Sequence, residues 1–184
     1  IVTVNSLVNA GVTISSSDSD NSICAGDLIS FTATPVNGGS SPTYQWYVNG
    51  TIIAGETNAT YSTTSITSQD VFTVEMTSNE LCVSGSPAAS PPIEITVNLY
   101  PNPIISSDVQ SGCSPMIVNF SNSGTGSGNC TWTIDGGNSF SGCDAQHTFT
   151  DAGCYNVSLS TTVNGCTSQS TLVDYICVTE SPVA

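Results

Sequence analysis

YQWYVNG, residues Tyr44–Gly50, is the stretch on which the fold turns. Tyr44, Trp46 and Val48 alternate with their neighbours at period two, as in a strand with one face against a core. A tryptophan in that inward register is the residue a β-sandwich buries. The run ends in Asn-Gly, which supplies the positive φ angles of a tight hairpin turn. The same grammar recurs on both sides of it. Phe31 with Ala33, Phe72 with Val74 and Met76, and Ile93 with Ile95 and Val97 alternate in the first half. Trp132 with Ile134, Val157 with Leu159, and Thr171 with Val173 do so in the second, with turns expected at DGG (Asp135–Gly137) and VNG (Val163–Gly165). No stretch combines caps with a 3.6-residue period, so the expected class is all-β.

Internal repetition sets the domain count. IVTVN (Ile1–Asn5) resembles IEITVN (Ile93–Asn98) and, more loosely, YICVT (Tyr175–Thr179). Val4, Val97 and Val178 stand about ninety and about eighty residues apart, close to one sandwich domain each. Residues 1–5 are therefore expected to be the last strand or linker of a preceding repeat. Residues 6–98 and 99–180 are expected to be two tandem antiparallel β-sandwiches, and 181–184 a linker to the next repeat. LYPNP (Leu99–Pro103) and ESPV (Glu180–Val183) are short and proline-bearing, which makes stiff joints.

Composition then removes whole classes of function. The chain has no lysine or arginine, 14 acidic residues, a formal charge of −14 and 8 cysteines. Phosphate backbones and anionic headgroups are gripped by Lys and Arg, so neither nucleic acid nor an anionic lipid surface is an expected partner. A guanidinium clamp, a Schiff-base lysine and a trypsin cleavage site are all absent by composition. Ser, Thr and Asn exceed a third of the residues, while apolar residues reach 38%, more than a disordered chain carries. The cysteines show no metal-type spacing and read as disulfides formed outside a reducing cytosol, so the expected location is secreted, extracellular or cell-surface. No apolar run approaches the roughly 18 residues needed to span a bilayer, so membrane insertion is not expected. The N-terminal segment lacks the pattern of a signal peptide, which points to a piece of a longer exported chain. With no cation to pair with, the carboxylates are expected to repel one another and to titrate on average above their unfolded values, so that stability would rise toward acid.

Further residues carry a resemblance. ICAGDLISFTATP (Ile23–Pro35), YQWYVNG and FTVEMTSNELCVSGSP (Phe72–Pro87) resemble an immunoglobulin-like repeat of very large bacterial surface proteins, especially those Bacteroidota export by the type IX route. GCSPMIVNF (Gly112–Phe120), CTWTIDGG (Cys130–Gly137), HTFTDAGCYNVSLS (His147–Ser160) and NGC (Asn164–Cys166) resemble a PKD (polycystic kidney disease) domain. That family usually reads WDFGDG at the tryptophan strand, where this chain has WTIDGG from Trp132 to Gly137; one acidic residue is lost, and with it the case for calcium binding there. The resemblance implies Ig-like and PKD-like sandwiches acting mostly as spacers and stalks.

His147 is the single histidine, and its position resembles a packed strand histidine of PKD domains more than a general base. Trp46, Trp132, Phe72, Tyr155 and His147 are the expected core. Asp18, Asp20 and Asn21 in SSSDSDNS offer hard oxygens for Ca²⁺, but calcium takes six to eight ligands, and a solvated loop explains the same composition. Asn49, Asn58, Asn119, Asn129 and Asn156 each begin an N-x-Ser/Thr triplet. No nucleophile elbow, phosphate loop, zinc or haem motif is present, so neither an enzyme nor a cofactor is expected.

Cysteine pairing follows from strand direction. Cys24 and Cys113 precede the second long strand of each sandwich, whereas Cys82 and Cys166 lie at the turn between its last two. Those places are at opposite ends, a strand length of roughly 17–20 Å apart, against the ~7 Å that bridged Cα atoms allow. Cys130–Cys143 and Cys154–Cys177 are expected to close locally. Cys24–Cys166 is expected to bridge the two domains, with Cys82 and Cys113 reaching neighbouring repeats. The alternative is Cys24–Cys82 with Cys113–Cys166. The function expected is a structural repeat of a long extracellular adhesin or filament, a stiff and protease-resistant stalk whose partners are neighbouring repeats and other copies in a fibre. A glycan- or protein-binding adhesin module using exposed loops is the alternative.

Overall fold

The computed structural model describes residues 6–135 and 137–182. The segment Ile1–Asn5 and the end of the C-terminal linker, residues 183 and 184, lie outside them, so the reading of Ile1–Asn5 as an earlier strand does too. The chain divides into two compact units, Ile1–Asn98 and Leu99–Ala184. Every regular element among the described residues is a strand.

The first unit contains β1 (Val8–Asn9), β2 (Gly11–Ser16), β3 (Ser22–Cys24), β4 (Ile29–Val36), β5 (Thr43–Val48), β6 (Thr51–Ile52), β7 (Thr60–Thr63), β8 (Asp70–Thr77), β9 (Val83–Ser84), β10 (Ala88–Ala89) and β11 (Ile93–Asn98). One sheet has the order β2-β4-β7 and the other β3-β11-β8-β5-β6, with β10 also on β8 and a small β1-β9 pair apart. β3 runs parallel to β11, Ser22 opposite Thr96 and Cys24 opposite Asn98. The sheets meet through alternate residues, so Phe31, Trp46, Phe72, Val74, Met76 and Ile95 are buried while the residues between them face out. Phe31 stacks on Phe72 with centroids 4.5 Å apart. Trp46 is fully buried and its Nε1 donates to the Asn58 carbonyl at 2.8 Å, which lets a polar atom enter the core without loss.

The second unit repeats that plan with β12 (Ile105–Ser107), β13 (Ser111–Cys113), β14 (Met116–Asn122), β15 (Asn129–Ile134), β16 (Asn138–Ser141), β17 (Asp144–Phe149), β18 (Gly153–Val163) and β19 (Cys166–Thr179). Its sheets are β12-β14-β17 and β13-β19-β18-β15-β16, the same order strand for strand. Again the short strand, β13, runs parallel to the last one, with Cys113 opposite Thr179. Trp132 is buried at the place Trp46 holds, and its Nε1 donates to the Gly142 carbonyl at 2.9 Å. Both VNG turns are those the sequence implies, while Gly136 of the expected DGG turn lies outside the described residues. Asn49 and Gly50 have φ of 51° and 74°, and Asn164 and Gly165 have φ of 49° and 83°, closing two-residue hairpins between Val48 and Thr51 and between Val163 and Cys166.

Two expectations about packing need correction. Val173 points to solvent, 73% exposed, and Leu172 packs on the core instead. The register slips between the pairs Tyr155–Ile176 and Val157–Leu172, and Asp174 takes a φ of 50° there. Leu172, Ile176 and Val178 keep one inward alternation on both sides of this slip, and Val173 lies on the other, outward one. His147 and Tyr155 sit half-buried at the margin of the core and not within it. His147 stacks on Phe140 (5.6 Å) and meets Phe149 edge-on (4.7 Å). Tyr155 keeps its ring against the core while its hydroxyl donates to the Asp151 carbonyl at 2.8 Å, a corner typical of sandwich folds.

Candidate functional site

Parallel pairing of the short strand with the last one sends the chain through each sandwich from one pole to the other. Each pole carries a cysteine. At the entry pole of the first unit, Cys82 lies beyond the end of β8, and its carbonyl accepts from the Val8 amide at 3.1 Å. At the exit pole Cys24 ends β3 beside Asn98. The intervening eight-residue β8 spans about 26 Å. In the second unit Cys166 opens β19 at the entry pole and Cys113 ends β13 at the exit pole, with the 14-residue β19 spanning about 46 Å between them.

Cys130 and Cys143 are bonded, as are Cys154 and Cys177. The first bridge ties the start of β15 to the loop before β17, and the second joins directly opposed residues of β18 and β19. Cys82 and Cys113 are free and exposed thiols, which removes the pairing of Cys24 with Cys82 and of Cys113 with Cys166. Opposite poles of one sandwich are too far apart for such bonds. Cys24 and Cys166 are disulfide-bonded cysteines.

The acidic loop after β2 is held by its own backbone. Asp18 Oδ1 accepts from the amides of Ser22 (3.0 Å) and Asp20 (3.3 Å), and Asp20 Oδ1 accepts from Ser22 at 3.1 Å. Asn21 Oδ1 accepts from the Ser16 hydroxyl at 2.6 Å. A hydrogen bond with Asp20, seconded by the Ser22 amide, holds the Asp18 carboxyl below the usual range. These oxygens organise a turn. His147 touches the Phe140 and Phe149 rings, and burial pushes its imidazole toward the neutral form.

Sequence reasoning missed a clasp built twice. Asn49, at the turn after β5, receives the Val71 amide on Oδ1 at 2.9 Å while its own amide donates to the Val71 carbonyl at 2.8 Å. Asp135, at the turn after β15, treats Asn156 alike, at 2.8 Å and 3.0 Å. Both turn residues have positive φ, 51° and 45°. The residues joined are more than twenty positions apart, so the only local signal was Asx before Gly.

The outer face of β12, β14 and β17 forms an open groove of about 600 Å³ lined by Ser107, Asp108, Asn119, Ser121, Asp144 and Gln146. Asn119 Nδ2 donates to Asp108 Oδ2 at 2.6 Å, and Gln146 Nε2 donates to Asn119 Oδ1 at 2.8 Å. The Asn119 donors hold the Asp108 carboxyl below its ordinary range. Among the triplet asparagines, Asn49 and Asn119 spend their Nδ2 donors on the carboxylates of Asp70 and Asp108. Asn156 Oδ1 accepts from the Asp174 amide.

Residues 12–101 match the family model for an Ig-like domain, CHU_C associated. No curated protein matches the chain. Among solved structures, fibronectin(III)-like modules of Clostridium thermocellum CbhA align over 92% of this chain and 94% of theirs, at 17% identity and a TM-score of 0.48. A D1–D4 ectodomain fragment of ICAM-5 aligns over 91% of this chain and 47% of its own length, at 14% identity and a TM-score of 0.48. The mouse nectin-like molecule 4 ectodomain aligns over 95% and 66%, at 9% identity and a TM-score of 0.39. The first unit is an Ig-like sandwich by its strand order and its family match, and the second repeats the strand order. No helix of the described residues is long and apolar enough to cross a membrane.

Proposed function

We propose that the chain is a structural repeat segment of a long extracellular adhesin or filament, a stiff, disulfide-stabilised stalk built of an Ig-like and a PKD-like sandwich. The observation that carries this reading is the parallel pairing of β3 with β11 and of β13 with β19, which makes each sandwich a pole-to-pole relay. Modules of that kind lengthen a chain with every repeat added. A Cys24–Cys166 bridge would lock the relay, since these are the exit pole of one unit and the entry pole of the next, and inter-domain motion is otherwise the default. Export by the type IX route of a Bacteroidota cell suits the resemblance and the oxidised cysteines. Small-angle scattering of the chain tests the reading. A compact 184-residue body has a radius of gyration of about 16 Å, whereas two sandwiches end to end exceed about 20 Å. The larger value is expected, and the smaller one overturns the stalk.

The groove on the second unit favours a second reading, a module that binds a neutral glycan through amide and carboxylate groups. Glycan-array binding lost in Gln146→Ala would support it.

A further inference from the structure

We propose that Cys82 and Cys113 are the two halves of one head-to-tail joint, in which the entry-pole thiol of one copy forms a disulfide with the exit-pole thiol of another. The inference rests on the stalk reading and names the partner: a second copy of this repeat.

Fold equivalence is the first support. Cys82 and Cys166 both lie at the turn between the last two long strands, and Cys24 and Cys113 both end the short strand that runs parallel to the last one. Of each equivalent pair, one member is oxidised and the other is a free, exposed thiol. One entry-pole and one exit-pole position thus remain open, in different units. They are complementary types, as a head-to-tail contact requires.

The surroundings of Cys82 supply the second support. Leu81 and Leu7 flank it, 73% and 70% exposed. Val8 pairs with Val83 in parallel register, which sets Leu7 alongside Cys82. The entry pole of the second unit has the same apolar character, a cleft of about 270 Å³ lined by Leu99, Tyr100, Pro101 and Val163. At the exit pole of the first unit Leu28 is 67% exposed, a few residues beyond Cys24. Apolar ends suit contact between modules. Charge does not, because two chains at −14 repel and no cation exists to bridge them. A covalent bond is the means of holding such copies together.

The chemistry needs a disulfide donor such as oxidised glutathione. One cysteine first exchanges with it to give a mixed disulfide and one reduced glutathione. The second cysteine's thiolate then attacks the protein sulfur, the new S–S bond forms, and the second glutathione leaves as thiolate. Two thiols and one disulfide become one disulfide and two thiols.

The test uses whole chains of Cys82→Ser and Cys113→Ser, alone and mixed, in a glutathione redox buffer. Products are read by non-reducing electrophoresis and by mass spectrometry of the linked peptides. In the mixture the Cys113–Cys82 heterodimer is expected to exceed either homodimer by about tenfold or more, against the roughly twofold excess of random pairing. Wild type is expected to form a ladder. Random proportions, or glutathione adducts alone, overturn the inference. An extended scattering profile with random pairing would leave the stalk standing and remove only the joint. A compact profile would remove the stalk itself.

Discussion

Asn49 Nδ2 donates to Asp70 Oδ1 at 2.7 Å, while Asp70 Oδ2 accepts the Thr67 amide at 2.8 Å. The carboxylate thereby ties the turn after β5 to the loop before β8, and the Val71 amide on Asn49 Oδ1 completes the clasp. Burial alone would raise the Asp70 carboxyl, but the Thr67 and Asn49 donors more than offset it and hold it below its ordinary range.

Asn49→Ala removes these bonds and places a residue with a Cβ and no local acceptor at a φ of 51°. A loss of about 1–3 kcal/mol is expected, and Asn49→Gly should lose less because the backbone strain is relieved. Hydrogen exchange in β5 and β8 of the full chain measures it. Equal losses for the two variants would show that the side-chain bonds alone matter.

Acid is expected to destabilise the protein, opposite to what bare charge repulsion implies. Every resolved carboxylate shift is downward, at Asp18, Asp70 and Asp108, because amides donate to those oxygens. A carboxyl lower in the folded state than its unfolded value of about 3.9 leaves the unfolded chain binding more protons as pH falls. Its contribution is fully present above about pH 4 and is lost as pH drops through the folded values. The groups are largely exposed, so the effect is modest. Denaturant midpoints should hold from pH 7 to pH 5 and decline below pH 4; a rise there would refute the argument.

Gly124→Ala is expected to damage the second unit. A Cβ at that position would lie 2.0 Å from the Asn102 carbonyl oxygen and 2.7 Å from the Ile104 amide nitrogen, so backbone must move. Overpacking of that kind costs about 1–3 kcal/mol. Thermal melts with exchange readout should place the loss in β12 and β14, leaving β4 and β8 unchanged.

Reduction should expose the second unit to proteases that need no basic residue. The bridges close loops of 13 and 23 residues, worth about 3 kcal/mol each in the chain-entropy account. Digestion by a nonspecific protease with and without reductant, read by peptide mapping, checks it. Identical cleavage of β15–β19 in both conditions would show that the bridges do not guard this unit.

The strands were legible because alternation is a local property, and both VNG turns announced themselves through Asn and Gly. Val173 was misread for a reason that is not local. Apolar residues stand on both alternations of β19, and only its pairing with β18, which sets Leu172 opposite Val157, decides which face is inward. The groove around Asp108 and Asn119 was invisible for the same reason, its members being brought together by three strands.

Composition and period determined the all-β class, the absence of ion pairs with lysine or arginine, and the oxidised chemistry of most cysteines, since each depends on residue type and short spacing. Tertiary structure alone decided which oxygens receive amide donors, and so the direction in which the carboxylates titrate. It also decided which cysteines share a pole and which are left as thiols. Those outcomes depend on strand direction across a sandwich, which residues dozens of positions apart settle together.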